Sequence, residues 1–183
     1  MVADSISHYP TELERTVRLR DGSELRLRPI RPDDAPRLVE LYDRLSQHTA
    51  YQRFFTIMRR LPPNWARMLS RVDYHRRLAL VVEQGRELIA VARYEPADEP
   101  DTVEVAFVVQ DGYQGKGIGA ILLHALLEAA QARGLHRFRA YVLAENARML
   151  DLLARSTHVR ERRFESGVIN ILLEPAPSPT PRS

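Results

Sequence analysis

The chain has no cysteine, one lysine and no long apolar segment among its 183 residues. Without cysteine it can form neither a disulfide framework nor a thiolate metal site, and we expect no bound metal. Its longest apolar runs, 78–82 and 105–109, are far too short to cross a bilayer. The opening residues MVADSISHYP lack the basic segment and apolar segment of a secretory signal. These absences predict a cytoplasmic protein that has no membrane association.

The rest of the composition is that of an ordinary globular domain, with 44% hydrophobic and 28% charged residues. The net charge is +3 and the pI is about 9.5, but the basic residues are scattered among 24 acidic ones. Because no basic run with interleaved aromatic residues stands out, we expect no nucleic-acid partner. We predict a flexible leader over 1–13, one domain over 14–174, and a disordered proline-rich tail over 175–183.

The pattern of apolar residues predicts the element order β-β-α-α-β-β-β-α-β-α-β, a mixed α/β domain. Hairpins are expected around Asp21-Gly22 and Gly85. The longest helix should begin near Ile118 and end before Gly134, a residue type that favours helix C-termini. The sheet should be mostly antiparallel, with one parallel pair formed by 103–109 and 138–143 across the long helix.

Four of the chain's eight glycines fall in residues 112–119, between a predicted strand and the long helix. We call this segment the glycine turn. Free N–H groups at a helix start bind anions, and glycine lets the backbone approach a phosphate closely. Lys116 adds a positive charge to the turn. Gly115, Gly117 and Ala120 also fit a dinucleotide motif, but no acid at the required position and no doubly wound frame accompany them.

The same turn reads Q-x-x-G-x-G through Gln114, Gly117 and Gly119, which resembles the acetyl-CoA signature of the GNAT superfamily of N-acetyltransferases. The resemblance covers roughly residues 16–174, in the family's order of strands and helices. The stretches LRPIRPDDAPRLVELYDRLS, YQRFF and VEVAFVV look similar to the catalytic domain of Pat-type bacterial protein-lysine acetyltransferases. The implied fold is the GNAT-like acyl-CoA N-acyltransferase fold, with a splayed parallel strand pair and flanking helices.

The resemblance implies that acetyl-CoA is the cosubstrate and assigns residues to bind it. The main chain of Val108 and Val109 would bond the pantetheine arm. Asn146 would contact the cofactor, and a side-chain oxygen there would also cap the following helix. The turn amides would cradle the pyrophosphate, and they belong to Gln114, Gly115, Lys116, Gly117, Ile118 and Gly119.

Glu104 is the candidate general base, because it lies where Pat-type enzymes carry their catalytic glutamate. It is the only charged residue in TVEVAFVV, and strand alternation places it on one face with Ala106 and Val108. The general acid departs from the family, since Leu153 occupies the position of the usual tyrosine. Tyr141 is expected to pack rather than to replace it, and His75 and His158 are expected to be structural or surface residues.

The expected function is acetyl transfer from acetyl-CoA to a primary amine, a protein lysine by analogy with Pat-type enzymes, with an acyl-CoA synthetase as a plausible protein substrate. A small-amine acetyltransferase and a CoA-binding sensor with little catalysis are the alternatives. Pat-type proteins often add a ligand-binding regulatory domain, for which these residues leave no room. Neither the oligomeric state nor the acyl-chain preference follows from the sequence.

Overall fold

The computed structural model describes residues 8–176, which form one eight-stranded sheet covered by five α-helices. The order of strands across the sheet is β1-β2-β3-β4-β5-β6-β8-β7. The strands are β1 (Arg15–Arg18), β2 (Glu24–Pro29), β3 (Leu78–Gln84), β4 (Glu87–Pro96), β5 (Thr102–Val109), β6 (Arg137–Leu143), β7 (Thr157–Glu165) and β8 (Val168–Pro175). The helices are α1 (Ala35–Asp43), α2 (Gln47–Phe54), α3 (Pro63–Ser70), α4 (Ile118–Ala132) and α5 (Ala147–Ser156).

The first five strands form antiparallel neighbours in chain order. Both predicted hairpins are present, and their turns use Gly22 at φ +85° and Gly85 at φ +59°. Such positive φ values are accessible to glycine at little steric cost, which is why these turns were readable from the sequence. Helix α4 ends as predicted, with Gly134 at φ +78° directly after the C-cap.

The sheet separates two apolar layers, because successive side chains of a strand point to opposite faces. On one face, Val103 and Val105 of β5 pack with Leu122 and Leu126 of α4. On the other face, Val108 packs in a cluster with residues of α1 and α3. Glu104, Ala106 and Val108 therefore share the face that α1, α2 and α3 partly cover.

Strands β5 and β6 form the one parallel pair, and they stay paired only over part of their length. The register joins Thr102–Val105 to Arg137–Ala140, after which the two strands separate. The predicted fold class is thus confirmed: a mixed sheet with a single, splayed parallel pair.

Strand β7 was not predicted. It follows α5 directly, pairs with β8 along the edge of the sheet, and exposes every residue from His158 to Glu165. Its sequence, THVRERRFE, carries charges on both faces and so lacks the alternation that identifies a half-buried strand. Its extended form comes from pairing with β8.

The two ends of the chain lie partly outside the described residues. Residues 1–7 of the predicted leader and 177–183 of the predicted tail are in that group. Within the rest of the leader, Tyr9 packs edge-on against Tyr74, and its hydroxyl donates to Glu14 at 2.8 Å. The packed part of the fold therefore extends into the predicted leader.

A buried network of charges joins β2, β3 and the start of α1. Arg28 is 2% exposed and donates to both oxygens of Asp34 at 2.8 Å, and to Glu83 at 3.0 Å. Arg37 reaches the same two carboxylates, and the Arg31 N–H donates to Asp34 at 2.7 Å. Burial opposes ionisation of Asp34, but the hydrogen bonds and charges of Arg28 outweigh it and lower its pKa.

No helix among residues 8–176 has the length and apolarity needed to span a membrane. Over the same range, the side chains of His, Asp and Glu form no cluster that could hold a metal ion.

Candidate active site

The separation of β5 and β6 opens a cavity of about 680 Å³ between them. Strand β5 contributes the wall from Val105 to Val109, and β6 contributes Ala140 to Val142. The glycine turn, α2, α5 and the β1–β2 hairpin complete the cavity. Basic residues line it, namely Arg20, Arg53, Lys116, Arg148 and Arg155.

The glycine turn presents the start of α4 to this cavity. Gly115 and Gly117 have φ values of +76° and +87°, and Gly117 is the N-cap without a side-chain cap. The first bond of the helix runs from the Ile121 N–H to the Gly117 carbonyl at 3.1 Å. Within residues 8–176, no group accepts a hydrogen bond from the main-chain N–H groups of residues 115–120. These N–H groups are therefore available to bind an anion.

Gly119 has a different role from the other glycines in the turn. A Cβ built on it would lie 3.3 Å from the Leu152 Cδ2, which is tighter than ordinary van der Waals contact. Gly119 therefore lets α4 approach α5. Gly117 has open space around it and is required by its backbone conformation alone.

The Gln114 side chain ties the turn to three other elements. Its amide nitrogen donates to the Val109 carbonyl at 2.9 Å and to the Thr49 hydroxyl at 3.3 Å, and its oxygen accepts from Arg148 at 3.2 Å. Asp111 reinforces the link to α2 by accepting from the Ser46 N–H and hydroxyl. The main-chain N–H of Gln114, which was expected to help hold the pyrophosphate, donates to the Asp111 carbonyl at 3.2 Å instead. The Gln114 side chain, by contrast, holds the wall of the cavity in place.

The register of β4 and β5 decides which main-chain groups face the cavity. In an antiparallel pair of strands, every second pair of opposite residues is hydrogen-bonded. The Gln110 N–H donates to the Ile89 carbonyl, so the next hydrogen-bonded pair is Val91 with Val108. Val108 therefore directs its N–H and C=O toward β4. Phe107 and Val109 direct theirs to the open side. The main chain of Val108 is thus directed to β4 and not to the cavity, contrary to the expectation for it, and the main-chain groups on the open side belong to Phe107 and Val109.

Two further predicted residues lie at the cavity. Asn146 lines it and caps α5, with its side-chain oxygen accepting from the Met149 N–H at 3.2 Å. The side-chain NH₂ group of Asn146 is not used in this cap. The Lys116 ammonium stands 5.6 Å from the centroid of the Tyr113 ring, at the turn.

Glu104 lies on β5 two residues before Ala106, which lines the cavity, but Glu104 is not itself among the lining residues. Glu104 is exposed to solvent at its surface, but the protein atoms packed around its carboxylate remove part of its hydration and raise its pKa above the ordinary glutamate value. Glu95 and Asp98 add to this rise, and Arg53 opposes it. Glu104 is thus a stronger base than a free glutamate.

The position of the usual tyrosine is apolar in space as well as in sequence. Leu153 is 1% exposed and lines the cavity wall. Tyr141 was expected to pack, but it is 41% exposed and borders the cavity from β6. The prediction for Tyr141 failed because the separation of β5 and β6 leaves its side of β6 uncovered.

Comparisons with known proteins agree with this geometry. The sequence model of the acetyltransferase (GNAT) family matches residues 38–157. Acetyltransferase Pat of Mycolicibacterium smegmatis is 34% identical over 173 residues, which cover 83% of this chain and 51% of that protein. Acetyltransferase PA5475 of Pseudomonas aeruginosa is 30% identical over 148 residues, or 79% of this chain and 80% of that protein.

Among solved structures, the GNAT domain of S. lividans PAT superposes with a TM-score of 0.83 at 37% identity. The alignment covers 91% of this chain and 99% of that domain. The chain therefore belongs to the GNAT acetyltransferase family. It spans about half the length of the Mycolicibacterium protein.

Proposed function

We propose that this domain transfers the acetyl group of acetyl-CoA to the side-chain amine of a protein lysine, with Glu104 as general base. The observation that carries the proposal is the placement of a carboxylate of raised pKa on β5, beside the point where β5 and β6 separate. The likeness to the Pat proteins over nearly the whole domain supports a protein acceptor.

The cavity has the groups that acetyl-CoA requires. The unpaired N–H groups of 115–120 suit the pyrophosphate, and the basic side chains on the cavity wall match the charge of the phosphates. The outward main-chain groups of Phe107 and Val109 suit an extended pantetheine arm, which would pair with β5 as a strand does. Acetyl-CoA would supply the activated acyl group as a thioester.

The acceptor amine must lose a proton before it attacks. A free lysine side chain has a pKa of about 10.4 and is almost fully protonated at pH 7. Glu104 would take this proton, directly or through a water molecule, which frees the nitrogen lone pair. The C–N bond then forms as the C–S bond breaks, and the acylated nitrogen releases its second proton to water. The departing thiolate takes a proton from water, since Leu153 provides no acid.

Exposed apolar residues on and next to α2 and α3, the helices that partly cover the face carrying Glu104, support a protein acceptor. Ile57, which follows α2, and Met68 of α3 are both well exposed, as are parts of Tyr51 and Trp65. An exposed apolar surface next to a catalytic cleft suits a macromolecular partner. A small amine would need no such surface.

Replacement of the base tests the mechanism. We expect Glu104→Gln to lower kcat about 100-fold, the usual scale for one general base. The KM for acetyl-CoA should stay near the wild-type value, because the main-chain donors of the cavity are unchanged. Steady-state kinetics between pH 6 and 9 measure both quantities.

Glu95→Gln is the matched control, since Glu95 lies directly opposite Glu104 on β4. It removes a carboxylate that raises the pKa of Glu104 but keeps the base itself, so it should lose far less activity than Glu104→Gln. Equal rates for Glu104→Gln and the wild type across this pH range would reject Glu104 as the base.

The choice of acceptor is tested by assaying acetyl-CoA turnover against a panel of lysine-bearing proteins, including an acyl-CoA synthetase, and a panel of small amines. We expect one or few lysines of a protein to be acetylated. Lys116 is the only lysine of the chain and is expected to be occupied beside the phosphates. Incubation with acetyl-CoA alone should therefore leave the intact mass unchanged apart from labelling of the N-terminal amine. Rapid turnover of a small amine with every protein unmodified would favour a small-amine enzyme, and binding of CoA without any turnover would favour a sensor.

A further inference from the structure

We propose that Glu99 is a positioning residue that holds Arg139 away from Glu104 and so leaves the Glu104 carboxylate unpaired. The inference rests on the proposed role of Glu104 and extends it to a residue of the β4–β5 loop. It explains how a glutamate beside an arginine can act as a base.

The sheet places Arg139 and Glu104 side by side. In the parallel register of β5 and β6, Glu104 is directly opposite Arg139. Neighbouring strands lie about 4.8 Å apart, and paired residues point to the same face. An arginine and a glutamate in this relation would ordinarily form a salt bridge, which would lower the pKa of the glutamate and occupy its oxygens.

The structure shows Arg139 bonded elsewhere. Its Nη2 donates to both oxygens of Glu99, at 2.5 and 2.8 Å, and its Nη1 donates to the Asn170 side-chain oxygen at 2.5 Å. Arg139 is 7% exposed, and its Nε is buried without an acceptor among residues 8–176. The hydrogen bond from Arg139 lowers the pKa of Glu99, so Glu99 is the carboxylate that takes the charge of this guanidinium.

The other charged groups around Glu104 do not neutralise it. Burial is the largest cause of the raised pKa of Glu104. Arg53 of α2 lowers this pKa, and Glu95 of β4 and Asp98 of the loop raise it. Arg93 of β4, on the same face, donates to the Leu69 carbonyl and stands 3.7 Å from Glu95. Arg139 is therefore the cation that, once released from Glu99, would affect the ionisation of Glu104 most directly.

Removal of Glu99 should release Arg139. In Glu99→Ala, we expect the guanidinium to turn to Glu104 and lower its pKa by about one unit, which is about tenfold in ionisation equilibrium. The acidic limb of the kcat–pH profile should move to lower pH by the same amount. The kcat at pH 7 should fall, since the paired carboxylate is a weaker base, while the KM for acetyl-CoA stays unchanged.

The double variant Glu99→Ala/Arg139→Met separates positioning from simple structural support. If Glu99 acts through Arg139, removal of the released cation should return the Glu104 pKa and kcat toward wild type. A purely structural contact would leave the double variant at least as impaired as the single one. Asp101→Asn, in the same loop and without contact to Arg139, should behave as wild type, and thermal melting checks that each variant is folded.

A carboxylate NMR titration of Glu104 makes the test independent of catalysis. An unchanged Glu104 pKa in folded Glu99→Ala overturns the positioning role of Glu99. A lowered pKa in Glu99→Ala that the double variant reverses supports it. If that pKa shift occurs but Glu104→Gln is fully active, the positioning contact stands and the assignment of Glu104 as base fails.

Discussion

Gly117→Asp should weaken CoA binding severely while the domain remains folded. Gly117 stands at φ +87° with open space around it, so the side chain would project from the N-cap of α4 without a clash. A carboxylate within about 6 Å of the pyrophosphate would cost about 3 kcal/mol at an effective dielectric constant of 20, on the order of a 100-fold loss of affinity. Isothermal calorimetry with CoA measures this loss.

Gly167→Asp is the matched control, because Gly167 has nearly the same backbone conformation, φ +83°, in the open turn between β7 and β8. Both variants place an L-residue in the left-handed region and should lose similar stability. Only the substitution at 117 should affect the ligand. Wild-type CoA affinity in folded Gly117→Asp would place the pyrophosphate somewhere other than the glycine turn.

Asp34→Ala should destabilise the domain by about 3–5 kcal/mol, the usual cost of removing one partner of a buried ion pair. The loss is large because Arg28 would remain buried with fewer acceptors, and the Arg31 N–H would lose its own. Asp33→Ala changes the exposed neighbour in the same turn and should cost far less. Urea unfolding at pH 7 compares the two variants.

The same network predicts how stability depends on pH. The pKa of Asp34 is lowered in the folded state, so its contribution is complete above the unfolded-state pKa of about 3.9 and is lost as the pH falls through the folded-state value. The stability difference between wild type and Asp34→Ala should therefore shrink below about pH 4. A difference that stays constant from pH 7 to pH 2 would contradict this assignment of the charge.

The features that the sequence predicted correctly are determined by local chemistry. Gly22 and Gly85 occupy positive-φ turns, Gly134 ends α4, and Asn146 caps α5. In each case the residues that determine the feature lie within a few positions of one another in the chain. The family signature located the glycine turn for the same reason. The parallel pair followed from the long crossover helix between its strands.

The features that the sequence did not predict depend on register or on distant partners. The choice of Phe107 over Val108 follows from which pairs of β4 and β5 are hydrogen-bonded, and a shift by one residue reverses it. The contact of Glu99 with Arg139 spans 40 residues, and no periodicity signals it. Strand β7 is extended because β8 lies beside it.

The place of Lys116 gives the chain a built-in label site. Its side chain carries the only ε-amine of the chain, and it lies at the rim of the cavity, above the Tyr113 ring. An amine-reactive fluorophore or isotope tag would therefore mark this one side chain, together with the α-amine of the N-terminus, without any engineered cysteine. A probe fixed there would stand beside the proposed pyrophosphate site, so its signal should change whenever CoA binds or leaves.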